Sequence, residues 1–207
     1  MSDEPVDPRR FFTQKMPADW NRALADQERA VVEARRVLEG LRAVDATIRV
    51  EVRGEGGGTF FLNVAAGTMV AGDTPSHPPF MTVVQDRASF ERLAAEAGDS
   101  AMGMLGGLSG LAGGMKLTRA RLDNLDAVKG SLLFEVTGRQ GFRVLTHFGQ
   151  GPLPERPDTT LSVDPGAYSE LRSGQLDPQG AFMSGKIKVA GNMQLAMQLA
   201  LAALSPD

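Results

Sequence analysis

The sequence predicts a fold of mixed helices and strands in which one unit, running helix, strand, strand, strand, helix, occurs twice. Two segments carry this prediction: residues 38–54 (LEGLRAVDATIRVEVRG) and 122–138 (LDNLDAVKGSLLFEVTG) align without a gap and are identical at seven of 17 positions. Both segments end on the alternation of apolar and polar residues that is typical of a strand. Because the match spans a helix and a strand, we interpret it as an internal duplication, and chance similarity between amphipathic segments is the alternative.

The first repeat is predicted to begin with a helix over residues 28–41, where apolar side chains recur at helical spacing. Ile48, Val50 and Val52 then alternate with charged residues, as in a strand with one solvated face. The GEGGG stretch at 54–58 predicts a hairpin turn rather than a phosphate-binding loop, because no Gly-Lys-Ser/Thr follows and the next segment has the pattern of a strand. A further strand and helix over 79–93 correspond to 157–171 in the second repeat.

The second repeat carries clear helix starts near its end. Asp164-Pro165 and Asp177-Pro178 each combine an N-cap residue with proline at the first helical position. In KIKVA (186–190), Ile187 and Val189 are expected to point inward, and Asn192 is expected to cap a final helix. That helix, which ends at Leu204, has almost no polar face, so we expect it to bury nearly all its faces. Either more protein or an apolar ligand must cover it.

The two repeats differ at their ends. The first runs into AMGMLGGLSGLAGGM (101–115), whose glycine content weakens a helix. A mobile apolar lid and a small-residue connector packed against the sheet are both consistent with this stretch.

Composition excludes several classes of function. The chain has 22 basic and 25 acidic residues, a net charge of −3, and no run of basic residues, so we expect no nucleic-acid partner. The absence of cysteine excludes disulfides and thiolate chemistry. The N-terminus has no apolar signal-peptide core and no stretch is long enough to span a bilayer. We therefore expect a cytoplasmic protein.

The histidines do not form a recognisable catalytic or metal-binding pattern. His77 lies in a turn-like stretch and is expected at the surface, whereas His147 is expected on a strand beside Arg143 and Leu145. There is no HExxH sequence and no nucleophile elbow. We therefore predict no catalytic residue, no metal site, no cofactor and no enzymatic activity. A hydrolase or isomerase would need a cluster of groups around His147.

The C-terminal stretch GQLDPQGAFMSGKIKVAGNMQLAMQLALAAL resembles the signature of the sterol carrier protein 2 (SCP2) family. The matching positions are Pro178, Gln179, Ala181, Phe182, Gly185, Lys186, Lys188, Gly191, Met193 and Ala196. The resemblance implies an α+β fold with an antiparallel-dominated β-sheet covered by helices, and an apolar tunnel for acyl chains, sterols or acyl-CoA. The first repeat lacks this ending, which puts a tunnel of its own in doubt.

The resemblance and the apolar final helix together define the candidate ligand-binding residues: Gln179, Phe182, Met183, Ile187, Met193, Leu195, Met197 and Leu201. Gln179 is placed near a ligand head group because the family turn carries glutamine there, although tying the turn's backbone together is an equal alternative. Methionine suits a wall that must accept variable shapes. The alternative is that the helix has a purely structural role and fills a core formed by both repeats.

These observations lead to one functional hypothesis and one alternative. We expect a non-catalytic lipid-binding or carrier protein that encloses a fatty-acyl, acyl-CoA or sterol-like ligand. The alternative is an SCP2-like accessory or dimerisation domain that serves an enzyme or complex. The expected partner is a lipid or another apolar small molecule; transient membrane contact, and a monomeric pseudo-dimer or a homodimer, remain open. The expected segments are a flexible 1–17, a degenerate SCP2-like repeat over 18–117, and a second repeat with the full signature over 118–207.

Overall fold

The computed structural model describes residues 7–97, 116–139 and 141–204. Contacts divide the chain into two units, residues 1–39 and 40–207. The glycine-rich stretch 101–115, predicted as a lid or a connector, lies outside the described residues, as do residues 1–6.

The first unit is helical from Pro8 onward. It contains α1 (Pro8–Arg10), a π-helical turn (Phe11–Lys15) and most of α2 (Met16–Arg42), and these follow one another without a break. The Asp7 side chain caps α1 by accepting from the backbone N–H of Arg9. The helix predicted over 28–41 is thus the C-terminal half of a longer one. Residues 8–17, expected to be flexible, are helical.

The second unit is built on one eight-stranded sheet. The strands are β1 (Ala46–Arg53), β2 (Gly58–Ala65), β3 (Thr68–Gly72), β4 (Met81–Asp86), β5 (Gly130–Val136), β6 (Phe142–Phe148), β7 (Thr159–Val163) and β8 (Ile187–Gly191). Their order across the sheet is β3-β2-β1-β4-β6-β5-β7-β8. The sheet is mixed, because β1 pairs in parallel with β4 and β5 with β7, while the other neighbours are antiparallel. With its helices, this is an α+β fold.

Five helices accompany the sheet in the described part of this unit, besides the end of α2. They are α3 (Arg87–Ala97), α4 (Arg119–Asp126), α5 (Pro165–Arg172), α6 (Pro178–Met183) and α7 (Met193–Leu204). Helix α7 packs against α4, β7 and β8, and α6 packs against α5 and β8. The C-terminal signature therefore folds around one end of the sheet.

Local signals in the sequence are confirmed where the chain turns. β1 and β2 pair as an antiparallel hairpin around the GEGGG stretch. Asp164 accepts from the backbone N–H of Ala167 at 2.9 Å, and Asp177 accepts from that of Gly180 at 2.8 Å. Each aspartate thus satisfies one backbone donor at a helix start.

The core of the second unit lies where the buried strand faces meet the helices. Phe134, Val144 and Val163 are at most 2% exposed. The Phe142 ring meets Phe134 at 5.9 Å and Tyr168 at 5.3 Å between centroids. Each large apolar side chain that is fully buried contributes roughly 1.5–3 kcal/mol, so this cluster is a major source of stability.

Candidate functional site

Helix α7 has one face in the core and another that is exposed and apolar. Leu195, Leu199 and Ala202 are at most 5% exposed and belong to the core cluster. On the opposite side Met193 is 44% exposed and Met197 is 61% exposed. The structure therefore differs from the expectation that this helix buries nearly all its faces. The methionines stand at (i, i+4) spacing, one turn apart.

The start of α7 is tied closely to β7. Asn192 donates its backbone N–H to the carbonyl oxygen of Asp158 at 2.8 Å, and its own carbonyl accepts from the Thr159 hydroxyl at 2.7 Å. Its side chain caps the helix, as predicted, by accepting from the backbone N–H of Leu195 at 3.1 Å. At the preceding Gly191, φ is 91° and a Cβ would lie 2.2 Å from the Asp158 carbonyl oxygen, so only glycine fits. These contacts fix which face of α7 turns inward.

The neighbouring α6 also exposes apolar side chains. Ala181 is fully buried, but Phe182 is 46% exposed and Met183 is 78% exposed. Gln179 lies in the first turn of α6 and is exposed. Both α6 and α7 contact β8, which separates them in the chain.

The eight predicted ligand-binding residues thus fall into two groups. Ile187 and Leu195 are core residues, 8% and 3% exposed. The other six are exposed: Gln179, Phe182, Met183, Met193, Met197 and Leu201. We call the exposed side chains of Phe182, Met183, Met193 and Met197 the apolar surface of α6 and α7.

A pocket of about 700 Å³ lies between α3, α5 and the start of β6. Val136, Phe142, Pro165 and Tyr168 form its apolar part, and its polar part comprises Arg92, Glu96, Arg139, Ser169, Arg172 and Ser173. None of the eight predicted residues is among these described lining residues. The sequence analysis missed this pocket because its walls come from segments far apart in the chain, and no local pattern connects residue 92 with residue 173.

The charged groups of this pocket are organised by Glu96. Arg92 contacts the Glu96 carboxylate at 2.6 Å, and Arg172 contacts it at 3.2 Å and also donates to the Glu96 carbonyl oxygen at 2.7 Å. Burial, with a smaller effect of the Glu96 charge, raises the pKa of Tyr168 to about 12. Three arginines against one glutamate leave the lining with net positive charge, so the pocket can accept an anionic group.

The groups around His147 do not form a Ser-His-Asp site. Ser131, which lies opposite His147 on β5, is fully buried. Its hydroxyl donates to the Asp158 carboxylate at 2.7 Å and accepts from the Asp158 backbone N–H at 2.9 Å. Hydrogen bonds from the Ser131 side chain and backbone lower the pKa of Asp158. The carboxylate is therefore engaged by serine rather than by imidazole, and Ser131 is not placed to act as a nucleophile.

Three further features of the described residues concern His77, metal-ion binding and membrane-spanning helices. His77 is a surface residue, as predicted: its side chain is 45% exposed and lies 2.8 Å from the Asp45 carboxylate. Across residues 7–97, 116–139 and 141–204, no group of three or more His, Cys, Asp or Glu side chains is placed to hold a metal ion. Within the same residues no helix is both long and apolar enough to cross a bilayer.

Comparison with known proteins relates the C-terminal half of the chain to one family. Residues 108–203 match the model of the SCP-2 sterol transfer family. Sterol carrier protein 2 of Rattus norvegicus is 42% identical over 53 residues, which are 26% of this chain and 10% of that protein. Hydroxysteroid dehydrogenase-like protein 2 of Homo sapiens is 36% identical over 84 residues, 37% of this chain and 20% of that protein.

The chain therefore spans no more than a fifth of the length of these curated relatives. Among solved structures, sterol carrier protein domain 2 of Helicoverpa armigera is 34% identical and covers 41% of this chain and 77% of that chain, with a TM-score of 0.30. It is the sequence match over residues 108–203, which includes α4 to α7 and β5 to β8, that identifies the family. Residues 108–203 therefore form a domain of the SCP2 family.

Proposed function

We propose that this chain is a non-catalytic lipid-binding or carrier protein, and that its ligand covers the apolar surface of α6 and α7. The observation that carries the proposal is the exposed methionine face of α7, within the part of the chain that matches the SCP2 family. Proteins named sterol carrier protein 2 are among the relatives, which supports a lipid as the ligand. The six exposed candidate residues remain the proposed contacts.

The physical basis is desolvation of an apolar chain. Met193 and Met197 present flexible, polarizable side chains that adapt to ligands of different shape. Each CH₂ group buried between ligand and helix contributes roughly 0.8 kcal/mol, so a long acyl chain gains substantial affinity without polar contacts. The core stripe of α7 holds the helix in place while its other face binds.

Among the three ligand classes considered, an acyl ligand with negative charge is favoured over a sterol. The net-positive pocket beside α5 supports this choice, because it offers arginine side chains to a carboxylate or phosphate. Helix α5, which lines the pocket, contacts α6, one of the two helices that carry the apolar surface. Comparing the affinities of palmitate, palmitoyl-CoA and cholesterol tests this preference. Tighter binding of cholesterol than of both acyl ligands would contradict it.

We also propose that the chain contains an internal duplication, with repeats over 18–117 and 118–207. The strand order supports this proposal. In the first repeat β1 pairs antiparallel with β2 and parallel with β4; in the second, β5 pairs antiparallel with β6 and parallel with β7. The units β2-β1-β4 and β6-β5-β7 follow one another in the same order across the sheet. This is a head-to-tail arrangement within one continuous sheet.

The hairpin turns of the two repeats give independent support. A Cβ on Gly57 would lie 2.1 Å from the carbonyl oxygen of Val52, and one on Gly141 would lie 2.0 Å from that of Val136. Gly141 lies 84 positions after Gly57, and Val136 lies 84 positions after Val52, which is the same offset as in the sequence match. Such a close approach excludes any side chain at these two glycine positions, so the two hairpins share an unusual steric requirement.

The alternative function is an accessory or dimerisation domain without lipid transfer of its own. It is favoured by the relatives in which the matching part makes up only 10% or 20% of a longer protein. In that case another protein surface, rather than a lipid, would cover the apolar surface of α6 and α7. We also propose that this chain is not an enzyme. This proposal does not extend to the longer relatives, of which the matching part is only 10% or 20%.

The deciding experiment extracts the purified protein under denaturing conditions and identifies the released lipids by mass spectrometry. The proposal expects a stoichiometric acyl ligand and saturable binding of a fluorescent fatty acid to the delipidated protein. If no lipid is released and the fluorescent fatty acid does not bind, lipid carriage is excluded. A heat-unfolded sample serves as the control for nonspecific uptake.

A further inference from the structure

Helix α2 carries a regular apolar stripe on the first unit of the chain. Trp20, Leu24, Val31 and Leu38 are between 44% and 75% exposed. Together with Gln27 and Ala34, they follow one another at alternating steps of four and three residues, which is the heptad spacing of a coiled coil. We call these six residues the α2 seam. From Trp20 to Leu38 it extends about 27 Å, at roughly 1.5 Å per residue.

The polar face of the first unit is already paired within the helix. Lys15 contacts Asp19 at 2.6 Å, Arg36 contacts Glu33 at 2.6 Å, and Arg29 contacts Asp26. At roughly 100° per residue, these pairs project away from the α2 seam. The helix therefore has a self-contained polar face and an exposed apolar one.

Two further charged side chains border the α2 seam. Glu28 and Arg35 are both exposed and are seven residues apart, so they occupy the same edge of the seam two turns from each other. No described residue forms an ion pair with either side chain. One edge of the seam thus carries a negative and a positive charge that are both available to a partner.

We propose that the part of the α2 seam from Leu24 to Leu38 binds a second copy of this chain, forming an antiparallel coiled coil. With Val31 of one copy against Ala34 of the other, Leu38 lies opposite Gln27 and Leu24 lies opposite Leu41. Glu28 then faces Arg35 of the second copy, and Arg35 faces its Glu28. The same two residues therefore form two complementary charge pairs across a twofold axis, as a symmetric interface requires.

The charges favour this arrangement over the two main alternatives. In a parallel coiled coil Glu28 would face Ala23, and Arg35 would face Ala30, so neither charge would gain a partner. A membrane surface is disfavoured because α2 contains five acidic and five basic residues, which leaves no net attraction to anionic lipids.

A charge-swap series on the full chain tests the proposal. The wild type should elute at twice 22.0 kDa in size-exclusion chromatography with light scattering. Glu28→Arg and Arg35→Glu should each weaken the dimer by roughly tenfold or more, because each places like charges at both symmetric contacts. The double variant should restore the wild-type affinity. Asp26→Arg, the same charge change on the polar face, should leave the dimer intact.

The orientation is tested by cysteine cross-linking, since the chain has no cysteine of its own. Val31→Cys and Ala34→Cys should form a disulfide with each other when the two variants are mixed and oxidised. A parallel dimer would instead cross-link each variant with itself. Circular dichroism of every variant verifies that the helix is intact.

The proposal is overturned by a wild type that stays monomeric at high concentration, by a double variant as weak as the single ones, or by self-cross-linking of each cysteine variant. A monomeric chain that sediments with phosphatidylcholine vesicles would assign the α2 seam to a membrane instead. All of these outcomes leave lipid binding by the apolar surface of α6 and α7 unaffected.

Discussion

The substitution Met197→Glu tests whether the exposed face of α7 contacts a ligand or whether the helix has only a structural role in the core. Met197 is 61% exposed, so about two fifths of its side chain contacts protein. If full burial of such a side chain contributes roughly 1.5–3 kcal/mol, the substitution should cost only about 1 kcal/mol of folding stability. Glutamate is also a good helix former, so α7 should persist.

The expected effect on ligand binding is much larger. An acyl chain packed over position 197 would have to desolvate a carboxylate that has no partner, at a cost of roughly 2–3 kcal/mol or more. Since about 1.4 kcal/mol corresponds to a factor of ten, affinity should fall about a hundredfold. Titration with a fluorescent fatty acid measures this fall, and urea unfolding measures the stability.

Two variants of the same helix serve as controls. Gln198→Glu adds the same charge one position along the helix, on an exposed polar site, and should bind normally. Leu199→Ala removes a side chain that is 2% exposed and should cost about 2–5 kcal/mol of stability. If Met197→Glu binds the fatty acid like the wild type while remaining folded, the exposed face of α7 does not contact the ligand and the reasoning is refuted.

Three further predictions concern the stability of the second unit, measured by urea or thermal unfolding. Gly141→Ala should destabilise it by several kcal/mol or rearrange the hairpin, because the new Cβ would lie 2.0 Å from a carbonyl oxygen; a loss below about 1 kcal/mol would contradict the steric argument. Asp158 has a lowered pKa in the folded state, so its contribution to stability is present above its unfolded pKa and is lost as pH falls through the folded value. Asp158→Asn should make the free energy of unfolding depend less on pH in the acid range. An unchanged acid dependence would contradict this prediction. Tyr168 has its pKa raised to about 12, so its neutral form stabilises the fold up to roughly pH 10, and that contribution declines from there to pH 12. Tyr168→Phe should remove this loss of stability at alkaline pH. If the variant loses stability at alkaline pH as the wild type does, the prediction is wrong.

Much of the local structure could be predicted from short stretches of sequence. The Asp-Pro helix starts at 164 and 177, the Asn192 cap and the GEGGG hairpin all appear in the structure. Each depends on hydrogen bonds that backbone groups form with residues close in the chain, so neighbouring residue types are sufficient to specify it.

The candidate site could be predicted only in part from short stretches of sequence. The apolar residues of α7 were recognised, but the sequence did not reveal that Leu195 and Leu199 point into the core while Met193 and Met197 do not. On a helix that is apolar all round, periodicity cannot distinguish the two faces. The choice depends on how Gly191 and Asn192 attach the helix to β7.

The family resemblance, the local caps and turns, and the apolar character of the C-terminal helix could all be predicted from the sequence. The order of the eight strands, the exposed face of α7 and the pocket shared by Arg92, Glu96 and Arg172 became known from the three-dimensional structure. The physical reason is the range of the interactions involved. A capping hydrogen bond joins residues two or three positions apart, whereas the ion pair from Glu96 to Arg172 joins residues 76 positions apart, which only the packing of α3 near α5 brings together.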